Sequence, residues 1–284
     1  MGIFSGFEKL GLGNLGGEQL FEDPRKKQVQ AKKEEPTRKL QLVNEEDFLF
    51  DKKYKCPVCE SDFDAKTVRT GKVRMKNVDI DLRPDYDELD QNKYDVIACP
   101  ACGYAALSRY FPNLNKYQID DIRIKICMNY KHEPCDDPTY SYDYAKRLYQ
   151  LALANAVVKK AKNSEKAYIC LKTAWVVRGE TQRLDPEDEG YDAKKAENDA
   201  QEQELLKNAL NGFIMARQTE EFPIAGMDST TLDYLIAALA VETDEREVAS
   251  KMISELLVSR TANSRIKDKA RFLKEMMAEK YGEE

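Results

Sequence analysis

The chain has 284 residues, of which 34% are charged and 42% are hydrophobic, and its formal net charge is −6. This length accommodates two modest domains. The excess of acids excludes a chain built throughout to coat nucleic acid, because phosphate binding needs clustered positive charge. No apolar run approaches the roughly 20 residues that a helix needs to cross a bilayer, and the N-terminus lacks the basic and apolar regions of a secretory signal. We therefore expect a cytoplasmic protein without a membrane span.

Residues 1–41 are predicted to form a flexible tail and a charged linker. Six glycines lie within the first 17 residues, and glycine carries an entropic cost in any regular structure. Residues 25–39 are rich in charged side chains and glutamine and show no apolar periodicity, which is typical of disorder. The sequence indicates no role for this segment.

Residues 42–114 carry the strongest chemical signal, which is two Cys-x-x-Cys pairs. The four cysteines are Cys56, Cys59, Cys99 and Cys102. Two thiolates three positions apart can hold one face of a Zn²⁺ ion from a tight turn, and two such turns complete a tetrahedron. Gly103 follows the second pair and can take the positive φ that closes its turn. We predict one structural zinc ion in a zinc-ribbon-like β module. A redox dithiol is the alternative, but the thioredoxin-like context that it needs is absent.

The 39 residues between the two pairs contain a β-like pattern. Apolar and charged residues alternate over residues 68–82, and the apolar phase slips between Met75 and Val78. This pattern predicts a hairpin with a bulge or an edge at the slip. Residues 84–91 are predicted to form an acidic loop, and the acids from Asp79 to Asp90 are interpreted as a solvated surface. A strand over residues 94–98 leads into the second pair.

Residues 115–284 are predicted to be helical, because apolar residues recur there at helical spacing. Asn163 and Ser164 predict the N-cap of a helix that ends near Gly179. Residues 243–245 predict a turn between two later helices. These helix pairs resemble degenerate tetratricopeptide repeats (TPRs), which stack because one pair cannot bury its apolar face alone, and a generic helical bundle is the alternative. The predicted fold class is α+β and mostly helical, with a small four-cysteine zinc-ribbon β module before a TPR-like α-helical domain.

A second group of metal-binding side chains is sparser. Cys127, His132 and Cys135 lie within nine residues, and His132 is the only histidine in the chain. With a nearby carboxylate they are a candidate for a second metal site. The alternative is a buried helical cysteine followed by a loop that carries the other two residues.

A basic stripe follows the predicted hairpin. Its central members are Lys72, Arg74 and Lys76, and zinc ribbons can bind nucleic acid through such hairpins. The acidic segment just beyond would repel phosphate, and no aromatic residues are interleaved for base stacking. Nucleic-acid binding through these residues is therefore an alternative interpretation.

The cysteine motifs and the helices together resemble a known family. The motifs are Cys56-Pro57-Val58-Cys59 and the string Ala-Cys-Pro-Ala-Cys-Gly-Tyr-Ala-Ala over residues 98–106. From about residue 42 onward, the chain resembles a bacterial family known as domain of unknown function 2225. The resemblance implies a zinc-ribbon-like start, a TPR-like end and no established activity.

This architecture favours a non-enzymatic adaptor or scaffold that contacts a protein or peptide partner through its helices. The alternatives are a nucleic-acid-associated regulator that uses the basic stripe, and a metal-dependent enzyme with a site at Cys127, His132 and Cys135. We identify no small-molecule substrate and no catalytic residue. A single histidine leaves little material for Ser–His or Cys–His catalysis.

Overall fold

The computed structural model describes residues 44–282, and Asn44–Glu284 form one compact unit. The predicted tail and linker, residues 1–41, lie outside the described residues. Within residues 44–282 there are six strands followed by seven α-helices. The strands are β1 (Leu49–Lys55), β2 (Asp62–Val68), β3 (Met75–Val78), β4 (Pro84–Tyr86), β5 (Val96–Ala98) and β6 (Ala105–Leu107). The helices are α1 (Lys116–Ile122), α2 (Tyr142–Val158), α3 (Asn163–Thr181), α4 (Tyr191–Thr219), α5 (Ser229–Glu242), α6 (Arg246–Val258) and α7 (Ser264–Tyr281). This order confirms the predicted fold class, which is α+β and mostly helical with small antiparallel sheets first.

Consecutive strands pair into three separate antiparallel hairpins, β1 with β2, β3 with β4, and β5 with β6. The predicted irregularity is confirmed, because the β3–β4 register shifts between Met75 and Asn77. The predicted extent of this hairpin is wrong. Strand β3 does not pair within residues 68–82 but with Pro84–Tyr86, which lies in the segment predicted to be an acidic loop.

The helices pack in chain order, each from α2 to α7 against the next one. The turn predicted at residues 243–245 is confirmed between α5 and α6. The largest core lies among α3 to α7 and contains Trp175, Phe213 and Tyr234. A second core joins β5 and β6 to α2 and α3, and a third surrounds the four cysteines. The helices and the last hairpin therefore share buried surface. Among residues 44–282, no helix is both long enough and apolar enough to cross a membrane.

Helix α3 ends near Gly179, as predicted, but differs from the prediction at its N-terminus. Its N-cap position is Lys162, without a side-chain hydrogen bond. The carboxylate of Glu220 accepts from the backbone amide and the hydroxyl of Ser164 instead. The helix continues past Gly179 to Thr181. Gly179 permits a close approach here, since a Cβ at this position would overlap the carboxylate of Asp90.

The interpretation of the acids from Asp79 to Asp90 as a solvated surface is wrong for the two that lie deepest. Asp81 is completely buried and accepts a hydrogen bond from the indole Nε1 of Trp175 at 2.8 Å. Asp90 is also buried, and its Oδ2 lies 3.7 Å from Arg83, a second buried charge. Buried carboxylates are stable only when paired or hydrogen-bonded, and these aspartates have partners that the local sequence pattern does not reveal.

Candidate metal centre

Each cysteine pair occupies the turn of its own hairpin. The first pair connects β1 to β2, which pair in register from Leu49 opposite Val68 to Lys55 opposite Asp62. The second pair connects the short strands β5 and β6. The two pairs do not lie in one hairpin. Instead, two hairpins meet through their turns, and the β3–β4 hairpin lies between them in sequence.

The four sulfur atoms of Cys56, Cys59, Cys99 and Cys102 all lie within 4.8 Å of one another. The sulfur–sulfur distance is 3.6 Å between Cys56 and Cys102, and 3.6 Å between Cys59 and Cys99. A tetrahedral metal with sulfur bonds of roughly 2.3 Å would set such distances at roughly 3.8 Å. Cys59 is the exposed member, and the other three are buried. The donor set therefore fits a tetrahedral thiolate-bound metal ion, with one edge near solvent.

The clustered thiols share their protons unequally. Hydrogen bonds from Cys102 and Cys99 lower the pKa of the Cys56 thiol to about 2, and the same contact with Cys56 raises the pKa of Cys102. The opposite directions of these two pKa shifts favour the thiolate form of Cys56 over that of Cys102. Thiolates, rather than thiols, are the form that binds metal, so a cation at this point would replace the shared protons.

The two turns have the same backbone geometry. The amide of Glu60 donates to the carbonyl of Cys56 at 2.9 Å, and the amide of Gly103 donates to the carbonyl of Cys99 at 2.9 Å. Both donors have positive φ, 63° at Glu60 and 75° at Gly103. The positive φ predicted for Gly103 is confirmed. At Glu60 the same left-handed conformation carries a side chain, which is strained because Cβ approaches the carbonyl oxygen.

This equivalence predicts opposite effects for two matched substitutions. Glu60→Gly should raise the free energy of unfolding by about 0.5–1 kcal/mol, because glycine adopts positive φ without strain. Gly103→Ala should lower it by about 2 kcal/mol or more, because the left-handed strain is added to a steric overlap. That overlap is with the ring of Tyr130, which lies where the new Cβ would be. Urea unfolding of the metal-loaded protein measures both. If both substitutions changed the free energy of unfolding in the same direction and by the same amount, positive φ would not have the same role in the two turns.

Two helices hold the turns from outside. The guanidinium of Arg123, just after α1, donates to the carbonyl of Val58 at 2.7 and 3.2 Å. The buried amide of Asn155 on α2 donates to the carbonyl of Gly103 at 3.0 Å. One polar side chain from each helix therefore positions one turn. Neither residue was identified from the sequence, because a lone arginine or asparagine on a helix gives no signal of its distant acceptor.

An aromatic cluster lies beneath the sulfurs. Tyr104, directly after Gly103, is completely buried, and its hydroxyl donates to the carbonyl of Phe111 at 2.9 Å. The Phe111 ring lies 5.0 Å from that of Tyr104 and 6.0 Å from that of Phe63 on β2. These contacts link the two hairpins through buried apolar surface. The four cysteines are therefore packed on one side against buried aromatic side chains, which is typical of a structural site.

The second group of candidate ligands is not brought together as a set. Among residues 44–282, the only group of three or more Cys, His, Asp or Glu side chains close enough to share a metal is the four-cysteine group. Cys127 is half-buried beside Cys102, and burial raises the pKa of its thiol. His132 and Cys135 line a different space, a cleft of about 360 Å³. The Nδ1 of His132 lies 3.3 Å from the hydroxyl of Tyr130.

The basic stripe lies on the β3–β4 hairpin and the turn before it, where Lys72, Arg74 and Lys76 are all exposed. Acids of the opposite strand and its continuation face them. The Nζ of Lys76 lies 3.1 Å from Asp87, and the backbone amide of Arg74 donates to Glu88 at 3.3 Å. The stripe is therefore partly neutralised by the hairpin that carries it.

No curated protein and no solved structure matches this chain. One family does, and the matched part of the chain includes both cysteine pairs and most of the helical region. Over residues 49–277 the chain matches the family described as uncharacterized protein conserved in bacteria (DUF2225), and it belongs to that family.

Proposed function

We propose that this protein is a non-enzymatic cytoplasmic adaptor, in which one structural zinc ion stabilises the paired hairpins and TPR-like helices contact a protein partner. The observation that carries the proposal is the closed four-sulfur centre. A catalytic zinc keeps one position for water or substrate, whereas here four sulfurs surround one point and three of them are buried.

Zinc is the metal that the donor set favours. Four soft thiolates in a tetrahedral arrangement suit zinc or an iron–sulfur centre. Structural zinc sites with four cysteine ligands arise from pairs of Cys-x-x-Cys turns, and both turns here have hairpin geometry. Four thiolates whose sulfur atoms all lie within 4.8 Å of one another would repel one another strongly, and a cation bound between them removes that repulsion.

The adaptor role rests on the helices. Each helix from α2 to α7 packs on the next, and successive packing of this kind produces extended surfaces that bind peptides or proteins. The helical half also exposes large apolar side chains, among them Phe272 at 50% and Val258 at 80%. A partner that covers such side chains gains hydrophobic stabilisation.

Metal content and partner binding test the two halves of the proposal separately. Protein purified without chelators or added metal should contain about one zinc per chain by elemental analysis, and Cys56→Ser with Cys99→Ser should abolish it. A partner identified by in-cell crosslinking should form a binary complex with the purified protein. The purified protein should catalyse no reaction of that partner. Absence of metal would require the cysteine pairs to be tested as a redox couple. Two zinc ions per chain would revive the site at Cys127, His132 and Cys135.

A further inference from the structure

A surface groove of about 530 Å³ separates α7 from the end of strand β3. One wall is the α7 face that carries Arg265, Lys269 and Phe272, and the opposite wall is residues 78–80. Tyr234 of α5 lies between the walls, and its hydroxyl donates to the carbonyl of Ile80 at 2.7 Å. The groove's volume falls in the range of sites that take small ligands or short peptide segments.

The charges that line this groove are unequally satisfied. Its two acids are engaged by arginines, Asp79 by Arg178 at 3.4 Å and Asp268 by Arg271. Its two cations, Arg265 and Lys269, have no acid within 4.0 Å among residues 44–282. The groove therefore presents positive charge that lacks a counterion within the described part of the chain.

Lys269 lies in an environment that disfavours its charge. Burial, and then the neighbouring Arg265 one helical turn away, lower the pKa of its ammonium group. Its Nζ lies 5.0 Å from the centre of the Tyr234 ring, so the ring face is its main compensation. A bound carboxylate would supply the counterion that is missing.

Apart from Ser264, the rest of the lining is mostly apolar. Val78, Ile80, Tyr234 and Phe272 contribute side chains to it, and Phe272 is half exposed. A ligand that carried only negative charge would leave these surfaces wet, whereas one with adjacent apolar groups would cover them. Phosphate chains of nucleic acid offer no such apolar groups on their charged side.

We infer that this groove binds a short segment of a partner protein in which acidic and apolar side chains alternate, with carboxylates at Arg265 and Lys269 and apolar side chains against Val78 and Ile80. This inference deepens the proposed adaptor function and rests on it. An extended segment suits the site, because alternate side chains of a strand point to opposite sides. Its carboxylates can then face the cations of α7 while its apolar side chains face residues 78–80 on the other wall.

The test uses the full-length, metal-loaded protein and fluorescein-labelled nine-residue peptides. One peptide alternates Asp or Glu with Leu or Phe, and three controls keep only the acids, keep only the apolar residues, or replace the acids with Lys. Fluorescence anisotropy should show saturable binding of the acidic–apolar peptide, at least tenfold tighter than that of any control. Part of this affinity should be lost between about 50 and about 500 mM salt, because exposed charges are screened.

Charge reversal on one helix face supplies the matched variants. Arg265→Glu with Lys269→Glu should weaken binding at least tenfold. Lys267→Glu with Lys274→Glu makes the same change in net charge on the same helix, at positions outside the groove, and should leave binding unchanged. Circular dichroism checks that both variants keep their helices.

Two results of the peptide experiments would overturn the inference. One is an acidic–apolar peptide that binds no better than the controls, and the other is equal weakening by the two charge reversals. The adaptor function is tested separately with a reconstituted partner complex. If Arg265→Glu with Lys269→Glu does not weaken that complex, the protein is still an adaptor but binds its partner through another surface. Loss of every partner complex would overturn both.

Discussion

Chelation of the metal should unfold the paired hairpins and lower the free energy of unfolding by about 5 kcal/mol. Structural zinc contributes on the order of 10 kcal/mol in small domains, and we expect about half here because helices also hold the two turns. Two-stranded hairpins are marginally stable on their own, and β5 and β6 have only three residues each. Without a metal, four clustered sulfurs would have to be protonated or repel one another.

Hydrogen exchange shows which elements lose their structure when the metal is removed. After chelation, protection should fall in β1, β2, β5 and β6, whereas the amides of α5 and α6 should stay protected, because their core is formed among the helices. Urea unfolding of loaded and chelated protein gives the free-energy difference. A chelated protein with verified metal loss and an unchanged unfolding midpoint would contradict a structural role.

Variants separate the metal from the thiols. Cys56→Ser with Cys99→Ser should reproduce the effect of chelation, and both changes are needed because Cys127 lies beside Cys102 and offers a replacement thiolate. Cys135→Ser is the matched control, since Cys135 is half-buried but lies outside the four-sulfur group. This control should keep both the metal and the stability.

The four-cysteine cluster could be predicted from the sequence because the signal is local. Two cysteines three positions apart determine a turn on their own, and Gly103 reports a positive φ at the next position. The helical region was predictable for a similar reason, since its periodicity is a property of each segment alone. The bulge in β3 was visible as a slip in the apolar alternation.

What could not be predicted depends on partners that are remote in sequence. Asp79 and Asp81 look like solvated acids until Arg178 is placed against them, 99 positions from Asp79. Gly179 looks like a residue that ends a helix. In the fold, the carboxylate of Asp90 occupies the space that a Cβ at Gly179 would need. A single sequence shows that a residue is charged or that a glycine has no side chain. Only the fold shows which remote residue contacts that charge or fills that space.

Arg178→Met should destabilise the protein by about 3–5 kcal/mol, the range expected when one partner of a buried ion pair is removed. The guanidinium contacts four carboxylates. Its distances to them are 3.4 Å for Asp79, 3.0 Å for Asp81, 2.6 Å for Glu202 and 3.0 Å for Glu242. These acids come from the β3–β4 loop, α4 and α5, so one side chain on α3 links four parts of the fold.

Two further variants test this assignment by urea unfolding. Arg178→Lys should recover only part of the loss, because an ammonium group lacks the planar fork that reaches several carboxylates at once. Arg217→Met is the control for the loss of a surface arginine, since Arg217 pairs with Asp233 but is 38% exposed. It should cost less than about 1 kcal/mol. Equal losses for Arg178→Met and Arg217→Met would refute the central role of Arg178.

The same cluster should make stability fall as the pH rises. Burial, and then the charge of Asp81, raise the pKa of Glu242 to about 8, and burial also raises the pKa of Glu202. The folded protein therefore holds a proton that the unfolded chain releases near its ordinary pKa of about 4.3. This contribution to stability is complete below about pH 4 and is lost progressively as the pH rises toward about 8.

Glu242→Gln should remove most of that pH dependence, because glutamine keeps an oxygen for Arg178 but cannot ionise. At about pH 8.5 the variant should be more stable than the unsubstituted protein by several kcal/mol, since a rise in pKa from about 4.3 to about 8 corresponds to about 5 kcal/mol, and at about pH 4.5 the two should be nearly equal. Urea unfolding at both pH values measures the difference, with Glu255→Gln as the control on the outer side of α6, where the carboxylate is 45% exposed. If Glu242→Gln shifted stability equally at both pH values, the carboxyl would be ionised throughout. Arg178 would then balance four full negative charges, and its replacement should cost still more.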